Sequence, residues 1–94
     1  MKKLIFVGAG GYFRELFEYI SIDIEENRIL DLSIYGVLDD KIPTQTVPYS
    51  YLGNIESYDI QPGDIFIIAI GNVLHREKLF TVLKNKGACF YTYK

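Results

Sequence analysis

Apolar residues along this chain alternate between short unbroken runs and runs at helical spacing. Residues 4–7 are four consecutive apolar side chains, two of them β-branched, and such a run favours a buried strand. The spacing then becomes helical, and the inner face of this first predicted helix holds Phe13, Leu16, Phe17, Ile20 and Ile24. The pattern predicts a strand followed by a helix that begins near Gly11 or Tyr12.

The same alternation continues to the end of the chain. Residues 33–38 predict a second strand, and two prolines make residues 41–50 a loop with room for at most an edge strand. Residues 65–70 are apolar without alternation, which is typical of a strand covered on both faces. The remaining predicted elements are a short extended piece at 51–53, a helical turn at 55–58, a second helix at 73–86 with Leu79, Val82 and Leu83 on its inner face, and a last strand at 88–92.

The β-α-β-β-α-β order predicts an α/β, Rossmann-like, three-layer domain. Its sheet should be parallel, with about four strands, and its 94 residues should form one domain over 1–94. Ligands of such sheets bind beyond the carboxyl ends of the strands, where the strand order reverses. Three predicted loops meet there, at residues 8–11, 39–40 and 71–72, and these are the places where we expect function.

Composition and charge exclude several classes of function. The net charge is −2, and the longest basic run is Lys2-Lys3, so the chain lacks the basic face that a nucleic-acid binder needs. The apolar run near the start is too short for a signal peptide, and no segment is long enough to cross a membrane. A single cysteine, Cys89, is expected in the core, and we expect a reducing, cytoplasmic location. The only histidine, His75, has no partner cluster, so we expect neither a metal site nor a catalytic residue.

The glycine loop after the first strand is the strongest candidate site. Gly8 and Gly10 occupy the first two glycine positions of the dinucleotide-binding fingerprint, but Phe13 stands where the third glycine belongs. Glycines leave backbone N–H groups bare, and a helix that follows them favours an anion such as a diphosphate. The alternative is a turn that requires glycine for its backbone conformation alone.

Polar residues follow the other two strands. Asp39 and Asp40 close the second strand, where a carboxylate can accept hydrogen bonds from ribose hydroxyls or a base N–H, although two aspartates also suit a solvated turn. Asn72 can act as the N-cap of the second helix, as a ligand contact, or as both. Arg76, one helical turn later, can pair with a phosphate or remain solvated.

In this order, these segments resemble the N-terminal domain of the PglD/NeuD-type bacterial sugar acyltransferases. The resemblance rests on residues 3–11, 36–40, 52–53 and 68–72, together with Arg76. It implies a domain that binds the nucleotide part of a UDP-linked amino sugar, for surface-polysaccharide or glycan precursor synthesis. By family analogy, Gly10 and Gly11 lie under the phosphates, Asp39 and Asp40 recognise the uridine, and Asn72 and Arg76 approach from the opposite wall. Gly8, Tyr12 and Gly71 complete the expected nucleotide-sugar-binding set.

The resemblance also implies what this chain does not supply. In the family, a C-terminal left-handed β-helix of hexapeptide repeats carries the acetyl-CoA site and the catalytic histidine, and it forms homotrimers. These 94 residues contain no hexapeptide repeat, so we expect no cofactor and no catalysis in this chain. It is either a fragment of a longer acetyltransferase or a free-standing domain, and a homo-oligomer is possible. The family has His-Gly after the double glycine, where this chain has Tyr12-Phe13.

Two other functions stay open from the residues. The glycine loop with Asp39 also suits a module that binds an NAD-type dinucleotide. Alternatively, the loop is purely structural and the chain is a non-catalytic dimerisation or interaction domain, with Tyr12, Tyr91 and Tyr93 along its interface.

Overall fold

A computed structural model describes residues 2–41 and 50–91 of the chain. In chain order the elements are β1 (Lys2–Val7), α1 (Gly11–Glu25), β2 (Leu32–Leu38), β3 (Ser50–Tyr51), β4 (Asp64–Ile68) and α2 (Val73–Asn85). The first two strands, α2 and the apolar strand after Gly63 therefore begin and end within about two residues of their predicted limits, and α1 begins at Gly11, as predicted. Most of the predicted loop at 41–50 lies outside the described residues.

The strands form one parallel sheet in the order β3-β2-β1-β4. The central strand, β1, pairs with β2 on one side and with β4 on the other. The chain moves outward from β1 to β2 and β3, then returns to the other side of β1 as β4, so the strand order reverses between β1 and β4. This arrangement confirms the α/β Rossmann-like fold class.

Alternate residues of β1 divide the core into two layers. Leu4 and Phe6 face the cluster that α1 covers, whereas Ile5 and Val7 face the cluster that α2 covers. Phe13, at the position of the missing third glycine, is only 1% exposed and packs edge-on against Phe6 with 5.1 Å between ring centroids. The buried apolar residues of the first layer are Leu4, Phe6, Phe13, Leu16, Ile20, Leu32, Val37, Ile67 and Ala69. Those of the second layer are Ile5, Val7, Leu38, Ile55, Phe66, Leu79 and Leu83.

The last predicted strand is shorter in the structure than the sequence indicates. Within residues 88–91 it is a single parallel bridge between Phe66 and Phe90; the Phe66 N–H donates to the Cys89 carbonyl and the Tyr91 N–H donates to the Phe66 carbonyl, at 2.9 and 2.8 Å. Residue 92 lies outside the described residues. The fourth strand of the sheet is instead β3, which pairs with β2.

The expectation that Cys89 belongs to the core was wrong, because Cys89 is exposed. Ala88 and Phe90 pack against the α2 layer. Successive side chains of an extended segment point to opposite sides, so Cys89 points away from that layer. The bridge lies at the edge of the sheet, where β4 is its only neighbouring strand among the described residues.

One buried carboxylate holds the turn that precedes β4. Asp64 is 6% exposed, and its Oδ2 accepts hydrogen bonds from the Tyr58 hydroxyl at 2.9 Å and from the Gln61 N–H at 2.8 Å. Its other oxygen, Oδ1, is buried and has no partner among the described residues. Burial raises the pKa of the Tyr58 hydroxyl above its usual range, and the hydrogen bond to Asp64 adds to the shift.

A lysine at the end of α2 fastens the same region from the other side. The Lys86 Nζ donates to the carbonyls of Glu56 and Tyr58 at 2.8 and 2.7 Å, and to that of Ile55 at 3.3 Å. One ammonium group thus binds two carbonyls of the turn at 55–57 and the carbonyl of the residue that follows it. This contact joins the connection before β4 to the carboxyl end of α2.

Candidate functional site

The glycine loop packs directly against the segment that follows β4. Gly8 has a φ of +102°, a conformation that residues with a side chain rarely adopt. A Cβ at this position would lie 2.6 Å from the Ile70 Cγ1 and 3.1 Å from the Ala69 carbonyl oxygen. The Gly8 N–H donates to the Leu38 carbonyl at 2.7 Å, so the loop also contacts the end of β2. Gly8 is therefore required by the conformation of the turn, which is the alternative to a role in ligand binding.

Asp39 holds the glycine loop in place. Its Oδ2 accepts a hydrogen bond from the Ala9 N–H at 2.9 Å, and its Oδ1 accepts one from the Lys41 N–H at 3.1 Å. The Asp39 carbonyl oxygen also accepts a hydrogen bond from the Tyr51 hydroxyl at 2.9 Å. A carboxylate has about four lone-pair positions, so these contacts leave acceptor capacity for a ligand. Asp40 is exposed and forms no hydrogen bond with another described residue.

The amino end of α1 is open. Gly10 is its N-cap residue and provides no side-chain cap, and the first turn holds no acidic residue. Nothing lies within 4 Å of where a Gly10 Cβ would be. The first N–H groups of a helix have no partner within it, and the helix dipole adds partial positive charge there, so this end favours an anion. Gly11 is the first residue of α1.

The two aromatic residues that follow this double glycine have different positions. Tyr12 is 39% exposed, whereas Phe13 is buried in the core. Phe13 therefore lies beneath the helix rather than over the glycine loop. Of the two, only Tyr12 can contact a ligand on the surface of the domain.

The loop after β4 supplies the opposite wall. The Asn72 Oδ1 accepts a hydrogen bond from the His75 N–H at 2.9 Å, so Asn72 is the N-cap of α2. Gly71 is exposed, and nothing lies within 4 Å of where its Cβ would be. Arg76 is exposed, and its guanidinium forms no hydrogen bond or salt bridge with another described residue. Its guanidinium is therefore available to an anion.

Beside these loops is a cavity of about 670 Å³ between α1, α2 and the edge of β4. Tyr12 and Arg76 line it, from the first turn of α1 and of α2, whereas no residue of the three predicted loops does. Sequence reasoning missed Phe80 and Thr81, although Phe80 follows Arg76 by one helical turn and so shares its helix face. The other lining residues are Leu16, Phe66, Ile67, Ile68, Glu77, Phe90 and Tyr91.

Tyr91 belongs to this cavity and to the first core layer. It is partly buried and packs against the α1 layer. Burial raises the pKa of its hydroxyl, and the nearby Asp23 carboxylate adds to the shift. Tyr93, the other tyrosine expected at an interface, lies outside the described residues.

Other kinds of site find no support in the described part of the chain. No group of three or more His, Cys, Asp or Glu residues there could hold a metal ion. Neither described helix is long and apolar enough to cross a membrane.

Comparison with known proteins gives one match. A family model described as the PglD N-terminal domain matches residues 3–83, which is most of the chain and includes the loops after β1, β2 and β4. Neither the curated proteins nor the solved structures contain a match. Since the family model spans β1 to the last turns of α2, the chain belongs to the PglD N-terminal domain family.

Proposed function

We propose that this domain binds the nucleotide part of a UDP-linked amino sugar and holds it for a sugar acetyltransferase. The observation that carries the proposal is the convergence of three loops at the point where the strand order reverses. The glycine loop bonds to Asp39 through the Ala9 N–H and packs on Ile70. Open α/β sheets bind nucleotides in this crevice.

Each part of the nucleotide has a matching group. The diphosphate lies over Gly8, Gly10 and Gly11, at the uncapped amino end of α1. Asp39 and Asp40 accept hydrogen bonds from the uridine. Arg76 reaches the diphosphate from α2, beside Gly71 and Asn72, and Tyr12 covers the phosphate side. This placement rests on the family and on the geometry of the loops.

The proposal gives this chain a substrate-holding role. Transfer of an acetyl group needs a base that deprotonates the sugar amine and a bound thioester. The only histidine, His75, is exposed at the beginning of α2, and its backbone N–H bonds to Asn72. Acetyl-CoA and the catalytic histidine belong to the β-helix domain that the family resemblance implies.

Isothermal titration calorimetry with UDP tests the proposal. We expect saturable binding, and the Arg76→Ala variant should weaken it by about 1–3 kcal/mol because a charge-assisted contact to phosphate is lost. Lys78→Ala is the matched control, since Lys78 is exposed on the same helix but does not line the cavity. No heat and no shift in melting temperature at millimolar UDP would reject the proposal.

A parallel titration with NADH distinguishes binding of an NAD-type dinucleotide from binding of UDP. Fluorescence enhancement of NADH without a response to UDP would favour the dinucleotide-binding function. A response to neither ligand, together with a dimer whose population rises with concentration, would favour the interaction domain.

A further inference from the structure

Every polar group of Asp39 forms a hydrogen bond within the domain. Its carboxylate accepts from the Ala9 N–H at 2.9 Å and from the Lys41 N–H at 3.1 Å. Its main chain is held from another direction, because its N–H donates to the Gly53 carbonyl at 3.1 Å and its carbonyl accepts from the Tyr51 hydroxyl at 2.9 Å. Since β2 ends one residue before Asp39, these two contacts fix its main chain where the pairing with β1 stops.

The segment that supplies these two contacts is itself anchored to β2. Tyr51 is opposite Val37 in the parallel pairing of β3 with β2, and the Leu52 N–H donates to the Val37 carbonyl at 2.8 Å. Leu52 lies so close to Gly36 that a Cβ on Gly36 would be 2.6 Å from the Leu52 Cγ. The Tyr51 side chain therefore reaches Asp39 from a backbone that is fixed on the sheet.

We propose that Tyr51 is a positioning residue of the nucleotide site. Its hydroxyl fixes the Asp39 carbonyl and thereby keeps the Asp39 carboxylate on the Ala9 N–H. The inference rests on the proposed function and adds a residue that lies outside the three loops and needs no contact with the ligand. Rotation of the Asp39 peptide would displace the carboxylate that faces the nucleoside, and the glycine loop that this carboxylate holds.

The exposure of Tyr51 indicates an effect on placement more than on stability. Tyr51 is 36% exposed, and loss of one polar atom at such a position changes the free energy of unfolding little. Groups that bind a ligand, however, must be held within about 0.5 Å of their productive geometry by the residues behind them. The Tyr51→Phe variant keeps the ring and removes only the hydroxyl, so it tests this contact alone.

Calorimetry with UDP compares wild type with Tyr51→Phe. We expect the affinity for UDP to fall about threefold to tenfold, the range for loss of one hydrogen bond. Amide hydrogen exchange, followed by NMR without ligand, provides a measurement that a general loss of stability would not reproduce. The Ala9 amide should exchange about threefold to tenfold faster in Tyr51→Phe, because its acceptor is no longer held in place. The amide of Phe6, in the central strand, should stay within about twofold of its wild-type rate.

Tyr19→Phe is the matched control. Tyr19 is 52% exposed on α1, and its hydroxyl forms no hydrogen bond with another described residue, so the affinity and both exchange rates should equal those of wild type. An unchanged affinity in Tyr51→Phe, or an equal loss in Tyr19→Phe, would overturn this inference and leave the proposed function intact. So would an Ala9 amide whose exchange is accelerated no more than that of Phe6. If wild type does not bind UDP, the proposed function fails, and the inference fails with it.

Discussion

The two helices of this domain are held to the sheet by different chemistry. On the α1 side, the rings of Phe6, Phe13 and Phe17 pack together with 5.1–6.1 Å between centroids. On the α2 side, the helix itself buries only Leu79 and Leu83. Polar contacts of Lys86 and of Asp64 with the segment before β4 fasten that side further. The first side is thus fixed mainly by close packing, whereas the second also depends on charges and borders an open cavity.

The largest difference between the sides should appear in their phenylalanines. Phe13→Ala should lower the free energy of unfolding by about 3–5 kcal/mol, because it empties a space in the packed layer. Phe80→Ala should lower it by only about 1 kcal/mol, because Phe80 is partly exposed and loses chiefly its stacking on Phe90. Urea denaturation followed by circular dichroism measures both. Tyr19→Ala, at an exposed position of α1, should stay within about 0.5 kcal/mol of wild type. Equal losses at Phe13 and Phe80 would contradict the comparison.

The glycine loop lies where the two sides meet, and its effect should be intermediate. Gly8→Ala should cost about 2–3 kcal/mol, since alanine is strained at this φ and its Cβ would overlap Ile70. Gly71→Ala is the control, because no atom lies within 4 Å of where a Gly71 Cβ would be and the φ of Gly71 is not positive. This substitution should lower the free energy of unfolding by less than about 1 kcal/mol. Thermal denaturation of the two variants makes the comparison. If Gly8→Ala is as stable as Gly71→Ala, the contact between the loop and the segment after β4 is absent.

A smaller loss than those at Phe13 and Gly8, and one that depends on pH, is expected for Tyr58 on the α2 side. Tyr58→Phe removes a hydrogen bond to the buried Asp64 carboxylate and should cost about 1.5 kcal/mol near neutral pH. Folding raises the pKa of Tyr58, so the folded state favours the neutral phenol. This stabilisation is fully present below the ordinary tyrosine pKa of about 10 and is lost as pH rises through the raised folded value.

Denaturation at about pH 8 and at several values above about pH 10 checks this prediction. The advantage of wild type over Tyr58→Phe should be constant at the lower values and should narrow above about pH 10. The lysines are common to both proteins and cancel in the difference. An advantage that is independent of pH, or one that grows in alkali, would show that the phenol does not titrate as its surroundings indicate.

The helices and strands of this fold could be predicted because each depends on the spacing of apolar residues within a short segment. Residues 4–7 and 65–68 lack alternation, and both strands prove to be covered by a helix on each side. Contacts between distant residues leave no such pattern. Lys86 bonds to carbonyls about 30 positions earlier, and Asp39 bonds to Ala9 across 30 positions.

The candidate site shows the same limit. The glycine loop and Arg76 could be found from their positions at the ends of predicted strands. The hydrogen bond from the Ala9 N–H to Asp39 could not be predicted, because the sequence does not show whether an aspartate is solvated or hydrogen-bonded to a distant part of the backbone. Cys89 was misjudged because the strand around it shortens to one bridge at the sheet edge, where alternation no longer implies burial.

The two carboxylate oxygens of Asp39 have a consequence for how this position can change during evolution. They hold the backbone of two loops, at Ala9 and Lys41, and the same group is the proposed contact for a nucleoside. A substitution there alters the architecture of the crevice and its selectivity in one step. Asp40 is exposed beside it and forms no hydrogen bond that holds a loop. Related chains should therefore tolerate substitution of Asp40 far better than substitution of Asp39.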